Sequence, residues 1–406
     1  MRLNFDGSAF YPALEPYYNK GKYPFIRVGD VKEYVDFDNC IKVPFDILHK
    51  YPTLKHCKKG DIVLTKGGTI GLAGLITQDC CVTRDLIFIN SSVLKEDDYI
   101  CLYLFLSTKF SYNQLIRSSS QSVQPHLTIT LVKDISLFKY SSQFKSIVSQ
   151  LYKKSTELTE KSKNLYHQAE ELLLETIGLK DFKPSEKGTN IKSFKESFLG
   201  TGRLDAEYYQ PKYEDYIQLT KSYSGGFDLL QTVCTLKDSN FTPEETKEYQ
   251  YIELSDIGKS GNITGCTFAK GNELPSRARR RINANDIIVS SIEGSLESCA
   301  LVTKDYDNAL CSTGFYVINS RIINSETLLV LFKSEVMQNI LKQNCSGTIL
   351  TAINKTEFLQ IPIPLIYIEI QQQIAELIEE SFYLRGESER LLEEAKEMVE
   401  REIEKE

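Results

Sequence analysis

Long apolar runs are missing from this chain of 406 residues. None approaches the roughly 20 residues a helix needs to span a bilayer, and the opening Met1-Arg2-Leu3-Asn4-Phe5-Asp6 lacks the apolar core of a secretory signal. Neither membrane association nor export is expected, which points to the cytoplasm. Regular cysteine spacing is missing too. The ten cysteines are scattered, Cys80 and Cys81 are adjacent, and no C-x-x-C occurs. Disulfide frameworks and zinc sites both need regular spacings, so free thiols in a reducing compartment are the expectation. Histidine is scarce, with four dispersed residues, and His56 beside Cys57 does not suffice for a metal site.

Signatures of catalysis are absent as well. There is no G-x-x-x-x-G-K followed by Ser or Thr, no H-E-x-x-H, no G-x-S-x-G and no G-x-G-x-x-G. Lys66-Gly67-Gly68-Thr69-Ile70-Gly71 has a phosphate-friendly composition but lacks the lysine–hydroxyl pair of a P-loop, and reads as a tight β-turn. Asp286 and Glu293 do not make a nuclease site, because no nearby lysine completes it and the first half carries a glycine where the second has Glu293.

What is present is a duplication. Apolar residues recur every seven positions at Phe144, Leu151, Leu158, Leu165 and Leu172, and again at Ile370, Leu377, Leu384, Leu391 and Met398, each 226 residues after its counterpart. The companion heptad position holds Val148, Ser155, Ser162 and Ala169 in the first run, and Ile374, Ser381, Ser388 and Ala395 in the second. Sustained heptads are the pattern of a coiled coil. Ile26-Arg27-Val28-Gly29-Asp30-Val31 answers Ile252-Glu253-Leu254-Ser255-Asp256-Ile257 at the same offset, and Lys133-Asp134-Ile135 answers Leu359-Gln360-Ile361. A period this long is a duplicated module of domain plus helix rather than a solenoid.

Each globular part reads as short strands and turns, with strands at Asp61–Thr65, Leu86–Ile89, Asp286–Ser290 and Phe315–Ile318, and helical spacing over Tyr99–Phe110 and Glu326–Leu341. Pro362 and Pro364 mark an extended connector, and Gly178 a stop for the first long helix. The organisation is therefore α+β. Similar globular domains occupy residues 1–141 and 203–367, long helices 142–179 and 368–406, and a linker 180–202. A helix of 34 residues carries the chain about 50 Å. A second helix that starts at that far end must run back, so the two are expected to form an intramolecular antiparallel coiled coil with pseudo-two-fold symmetry.

The net charge of −7 conceals an uneven distribution. Residues 369–406 carry thirteen acidic and five basic side chains, so the acidity belongs to the second helix and the remainder is near neutral. Local basic patches on the domains are thus permitted. Arg277-Ala278-Arg279-Arg280-Arg281 is the densest basic cluster, and polar runs occur at Arg117–His126 and at Asn344–Thr348, leading to Asn354-Lys355. Arg, Asn, Gln, Ser and Thr are the side chains that hold phosphates and read base edges.

The chain resembles the specificity subunit of type I restriction–modification enzymes. The likeness is carried by Gly60-Asp61-Ile62-Val63-Leu64-Thr65-Lys66-Gly67-Gly68-Thr69-Ile70-Gly71 and Ser122-Val123-Gln124-Pro125-His126-Leu127. In the second half it is carried by Arg203-Leu204-Asp205-Ala206-Glu207-Tyr208-Tyr209-Gln210-Pro211-Lys212-Tyr213, Ser346-Gly347-Thr348 and Ile361-Pro362-Ile363-Pro364. The Arg203 segment has no counterpart in the first half, because 226 positions upstream lies before Met1.

The resemblance implies two target-recognition domains that read a bipartite, asymmetric double-stranded DNA target. It implies helices that dock two methylation subunits, with restriction subunits in the full complex. It also implies a non-catalytic chain, with S-adenosylmethionine, ATP and magnesium bound by partners and no cofactor by this chain. Candidate DNA contacts are Lys66, Thr69, Gln121, Gln124 and His126 in the first domain. In the second they are Arg277, Arg279, Arg280, Arg281, Ser346, Thr348 and Lys355. The rival readings are a coiled-coil scaffold with two protein-binding adaptor domains and a self-contained nuclease.

Overall fold

The computed structural model describes residues 3–32, 34–37, 39–118, 126–180, 182–347 and 351–405. The chain forms two compact units, Met1–Thr159 with Gly386–Glu406, and Glu160–Arg385.

In the first unit the strands Asn4–Gly7, Leu86–Asn90, Ile62–Thr65 and Ala73–Leu75 lie in that order in one antiparallel sheet. A second sheet has the order Ile41–Val43, Tyr23–Ile26, Cys80–Val82 and His56–Cys57, with a parallel central pair. The strand Ile62–Thr65 reads as an unbroken apolar run because both of its faces are covered. Ile62 and Leu64 join Ile87 and Ile89 in the core under the helices. Val63 joins Phe88, Ile26 and Val82 in the core between the sheets. Alternation with period two sorts these residues between the two cores.

The second unit repeats this plan. Cys234–Leu236, Phe315–Ser320, Ile287–Ser290 and Cys299–Leu301 form the first sheet, and Thr267–Lys270, Glu248–Ile252, Leu310–Ser312 and Ala278–Arg281 the second, again with a parallel centre. Ile287 and Val289 face one core and Ile288 the other. The duplication seen in sequence is thus a duplication of topology. The second unit adds a helix, Pro211–Lys221, and a two-stranded ribbon in which Pro362–Pro364 pairs with Phe227–Leu229.

Where the spacing suggests one helix over Tyr99–Phe110 and one over Glu326–Leu341, each region holds two. These are Glu96–Leu106 with Lys109–Ser118, and Ser325–Lys333 with Glu335–Gln343. Ser334 explains the second break. It sits in extended geometry, its hydroxyl donates back to Leu331 O at 2.6 Å, and it accepts from Met337 N at 3.3 Å, closing one helix and opening the next. Side-chain bonding of this kind competes with helical continuation. Ser334→Ala is expected to lower stability by about 1 kcal/mol, read as a fall in the urea midpoint; an unchanged midpoint would remove the capping role.

The long helices are Ser142–Thr176 and Ile368–Glu404. The first ends at Gly178 (φ 74°), with Leu179 N bonded to Leu174 O and Gly178 N to Glu175 O, a Schellman closure. They pack together antiparallel in each unit. In the first, Ser155 Oγ donates to Ser388 O and Ser388 Oγ to Ser155 O, both at 2.8 Å. In the second, Ser162 Oγ donates to Ser381 O at 2.7 Å and Ser381 Oγ to Ser162 O at 2.8 Å. A shift of 226 turns Ser155 into Ser381 and Ser162 into Ser388, so each pair is the repeat counterpart of the other.

One expectation about this pairing needs correcting. Phe144, Leu151, Leu165, Leu172, Ile370, Leu377, Leu384, Leu391 and Met398 are only half-buried, and Leu158 alone among those heptad positions is buried. The fully buried seam runs through Val148, Ser155, Ser162 and Ala169 on one helix and Ile374, Ser381, Ser388 and Ala395 on the other. Small side chains let the backbones approach until a hydroxyl reaches the opposing main-chain carbonyl, which displaces the larger residues to the flanks. There Phe144, Leu151, Leu172, Ile370, Leu377 and Met398 pack against the domain cores.

Candidate nucleic-acid interface

In both units the turn after the central strand meets the segment that leads into a short capped helix. In the first unit Lys66 follows Ile62–Thr65 directly. Its N–H donates to Asp85 O and its carbonyl accepts from Leu127 N, both at 3.0 Å. In the second, Ser291 occupies that place, donating to Gly314 O at 2.9 Å and accepting from Ile353 N at 2.8 Å. Thr128 and Asn354 then cap the helices Ile129–Lys133 and Lys355–Leu359, accepting from Leu131 N and Glu357 N. The repeat thus places the same polar turn against the same polar approach twice.

The first unit brings three of its candidates together. Lys66 is half-buried, Thr69 lies exposed at the tip of the turn, and His126 is exposed beside it. A Cβ on Gly67 would lie 3.5 Å from His126 Nδ1 and 3.8 Å from Asp85 Oδ1, so ring and carboxylate both flank the turn. Gly68 (φ 73°) and Gly71 (φ 83°) hold it in left-handed geometry that L residues resist. Gln121 and Gln124 lie outside the described residues, as does Thr348 in the second half.

In the second unit the turn continues into a 3-10 turn, Glu293–Ser295, and is joined by the hairpin of Cys345–Ser346 with Ala352–Ile353. Glu293 N donates to Thr351 O at 3.0 Å, and Ile292 bridges Ala352. Exposed Ser346 ends the first hairpin strand. A cleft of about 500 Å³ opens beside this junction, lined by Arg277, Glu253, Ser291, Ser312, Thr313 and Ala352 among others.

The arginine cluster is not one patch. Ala278–Arg281 is an edge strand, and alternation with a register shift near Ala278 separates its side chains. Arg277 turns into the cleft, its Nη2 2.7 Å from Glu253 Oε1 and its Nε donating to Tyr251 OH at 3.3 Å. Those two hydrogen bonds, Glu253 first, raise its pKa further. Arg279 Nε donates to Ser276 O at 3.0 Å, and the Arg281 guanidinium lies 3.9 Å over the Phe241 ring. Arg280 turns inward, with its Nη1 buried and unpaired. Lys355 forms an ion pair with Asp238, whose pKa it lowers.

Two residues find their partners only in the fold. Glu253 sits where the first repeat carries Arg27, and only the fold sets it beside Arg277. Arg203 is a clasp, its side chain only 12% exposed. It forks onto Asp205 (2.8 and 2.7 Å), donates to Cys345 O at 2.9 Å and stacks 4.4 Å from the Tyr208 ring. The Arg203 segment therefore braces the base of the polar hairpin. Asp286 is structural: Lys237, Asn283 and Asn319 all donate to its carboxylate.

A family model described as "Type I restriction modification DNA specificity domain" matches residues 7–165 and again 228–394. Among solved structures, the S subunit of a type I restriction–modification system from M. genitalium is 13% identical, over 98% of this chain and 90% of that one, with a TM-score of 0.42. The HsdS subunit from Thermoanaerobacter tengcongensis is 11% identical over 98% and 96%, with a TM-score of 0.29. A structure reported for complex assembly and conformational transition of the type I R-M system is 12% identical over 98% and 97%, with a TM-score of 0.30. No curated protein matches the chain.

Proposed function

The chain belongs to the type I restriction–modification DNA specificity family, matched over both of its halves, and from that premise we propose that it reads a bipartite, asymmetric DNA target, one half-site per globular domain. The observation that carries this reading is the repeated junction of polar turn and capped helix, built on one topology but with different side chains. Lys66, Thr69 and His126 furnish it in the first unit, and Ser291, Arg277 and Glu253 in the second. Like frames with unlike chemistry suit two unlike half-sites.

The paired helices set the separation of the half-sites and dock two methylation subunits, and restriction subunits complete the assembly. Methylation and cleavage reside in those partners, together with S-adenosylmethionine, ATP and magnesium. The complex works in the cytoplasm; no helix among the described residues is long and apolar enough to cross a membrane.

The test is methylation-sensitive sequencing of DNA from cells that carry this chain with its methylation subunits. A two-part motif with unlike halves is expected, and exchanging residues 203–367 for the same region of another member should change one half only. A target that is unchanged by the exchange, or no methylated motif at all, would overturn the reading in favour of a protein-binding scaffold.

A further inference from the structure

We propose that Arg277 and Glu253 together read one G·C base pair in the major groove, with Tyr251 as the positioning residue. This rests on the DNA-recognition reading above and deepens it. The guanidinium is held on two sides: Nη2 meets Glu253 Oε1 at 2.7 Å and Nε donates to Tyr251 OH at 3.3 Å. Tyr251 is 1% exposed, so its hydroxyl is a fixed anchor within the sheet, while the Arg277 side chain remains 58% exposed at the cleft. Those two contacts use one N–H each of Nη2 and Nε, so Nη1 and the second N–H of Nη2 are the donors that remain to offer a guanine as a parallel pair. As a carboxylate, Glu253 has acceptor capacity beyond its bond to Arg277.

A donor pair next to an acceptor is the complement of the major-groove edge of G·C. Guanine offers O6 and N7 as acceptors, and cytosine its N4 amino group as donor. Neither side chain must move far to bind, and the ion pair holds both in position in the absence of DNA. Open on one side, the cleft of about 500 Å³ is lined near them by Ser255, Ser312 and Thr313.

The first unit shows that this is a choice rather than a framework requirement. Arg27 stands at the repeat position of Glu253, and both open an identical backbone turn. Arg27 N donates to Asp30 Oδ2 at 2.8 Å, and Glu253 N to Asp256 Oδ2 at 2.7 Å. The frame is kept and the charge is reversed, so the two units cannot read the same pair at this place.

The experiment uses the full chain assembled with its methylation subunits, and a set of duplexes in which each base pair of the target is exchanged in turn. Wild type should prefer G·C at one position of the second half-site by roughly ten- to hundredfold. Arg277→Ala, Arg277→Lys and the isosteric Glu253→Gln should each flatten that preference while leaving every other position unchanged. Tyr251→Phe should weaken it at the same position only. Arg277→Lys keeps the charge but loses the fork, so its failure to read the pair separates base recognition from simple attraction. An even loss of affinity across all duplexes, with a salt slope smaller by about one, makes Arg277 a phosphate contact and overturns the proposal while DNA recognition stands. A wild-type complex without preference at any base pair overturns the DNA-recognition reading itself.

Discussion

Replacing Ser388 with leucine is expected to destabilise the first unit by about 2–6 kcal/mol, more than cutting the heptad residue Leu391 to alanine. Ser388 is 1% exposed. Its hydroxyl donates to Ser155 O at 2.8 Å and meets Thr159 Oγ1 at 2.7 Å. Two further heavy atoms and a branched end cannot enter so close a helix contact without forcing the backbones apart or the side chain off-rotamer, which costs about 1–3 kcal/mol. Orphaning the buried hydroxyl partners adds about 1–3 kcal/mol. Leu391 is half-buried, so its truncation forfeits only part of a leucine's burial, about 1 kcal/mol. Ser388→Ala, which keeps the close approach and loses only hydrogen bonds, should cost about 1 kcal/mol. Urea denaturation followed by circular dichroism ranks the three. If Leu391→Ala proves the most damaging, the leucines rather than the serines hold the helices together.

The second large effect is expected at Arg203. Its fork spans Asp205 and Cys345 O, and the ring of Tyr208 stacks on it; nearby, Gln343 Nε2 donates to Tyr208 O at 3.0 Å. Arg203→Ala leaves the exposed Asp205 carboxylate and the Cys345 carbonyl without that partner. Water screens the ion pair on its Asp205 side, so the loss costs about 1–3 kcal/mol, carried mainly by the hydrogen bonds of the largely buried guanidinium. The damage should be local, because the hairpin of Cys345–Ser346 and Ala352–Ile353 hangs from this point and supports the turn through Glu293 N–Thr351 O. Amide exchange at Cys345, Ile353 and Glu293 should accelerate by tenfold or more, and the assembled complex should lose preference for the second half-site while still reading the first. Arg203→Lys should fall between, since an ammonium cannot reproduce the fork. Unchanged exchange at the hairpin would refute the clasp.

Several parts of this molecule are legible without coordinates. The offset of 226 residues exposes the duplication, since Asp30 and Asp256 sit in matching strings and do the same job, each accepting the N–H three residues earlier. The β-branched run Asp61–Thr65 identifies a strand, though its coverage on both faces emerges only in the fold, and the heptads identify two long helices that pair. Lys66, Thr69 and His126 are named from their polar loops, and the fold does bring those loops together. Other parts are not legible. Helical spacing continues smoothly through Ser334 because periodicity registers apolar positions and is blind to a hydroxyl that caps in both directions. The arginines at 277 and 279–281 form a single block in one dimension. A strand sends its side chains alternately to opposite faces, so they have separate partners.

The sequence alone determined what is local or repeated: the domain-plus-helix module, its two copies, the strand and helix types, and the polar turns. Those follow from periodicity and composition, which act over a few residues at a time. Tertiary structure alone decided which heptad face closes, because that depends on how near two backbones can come rather than on which residues are most apolar. It also decided the partners of the charged groups. Arg277 finds Glu253 and Tyr251 at separations of 24 and 26 residues, and Arg203 reaches Cys345 across 142. No local rule specifies such distances. They arise when sheet order brings edges together, and a buried or bridged charge then takes whichever partner lies within hydrogen-bond reach.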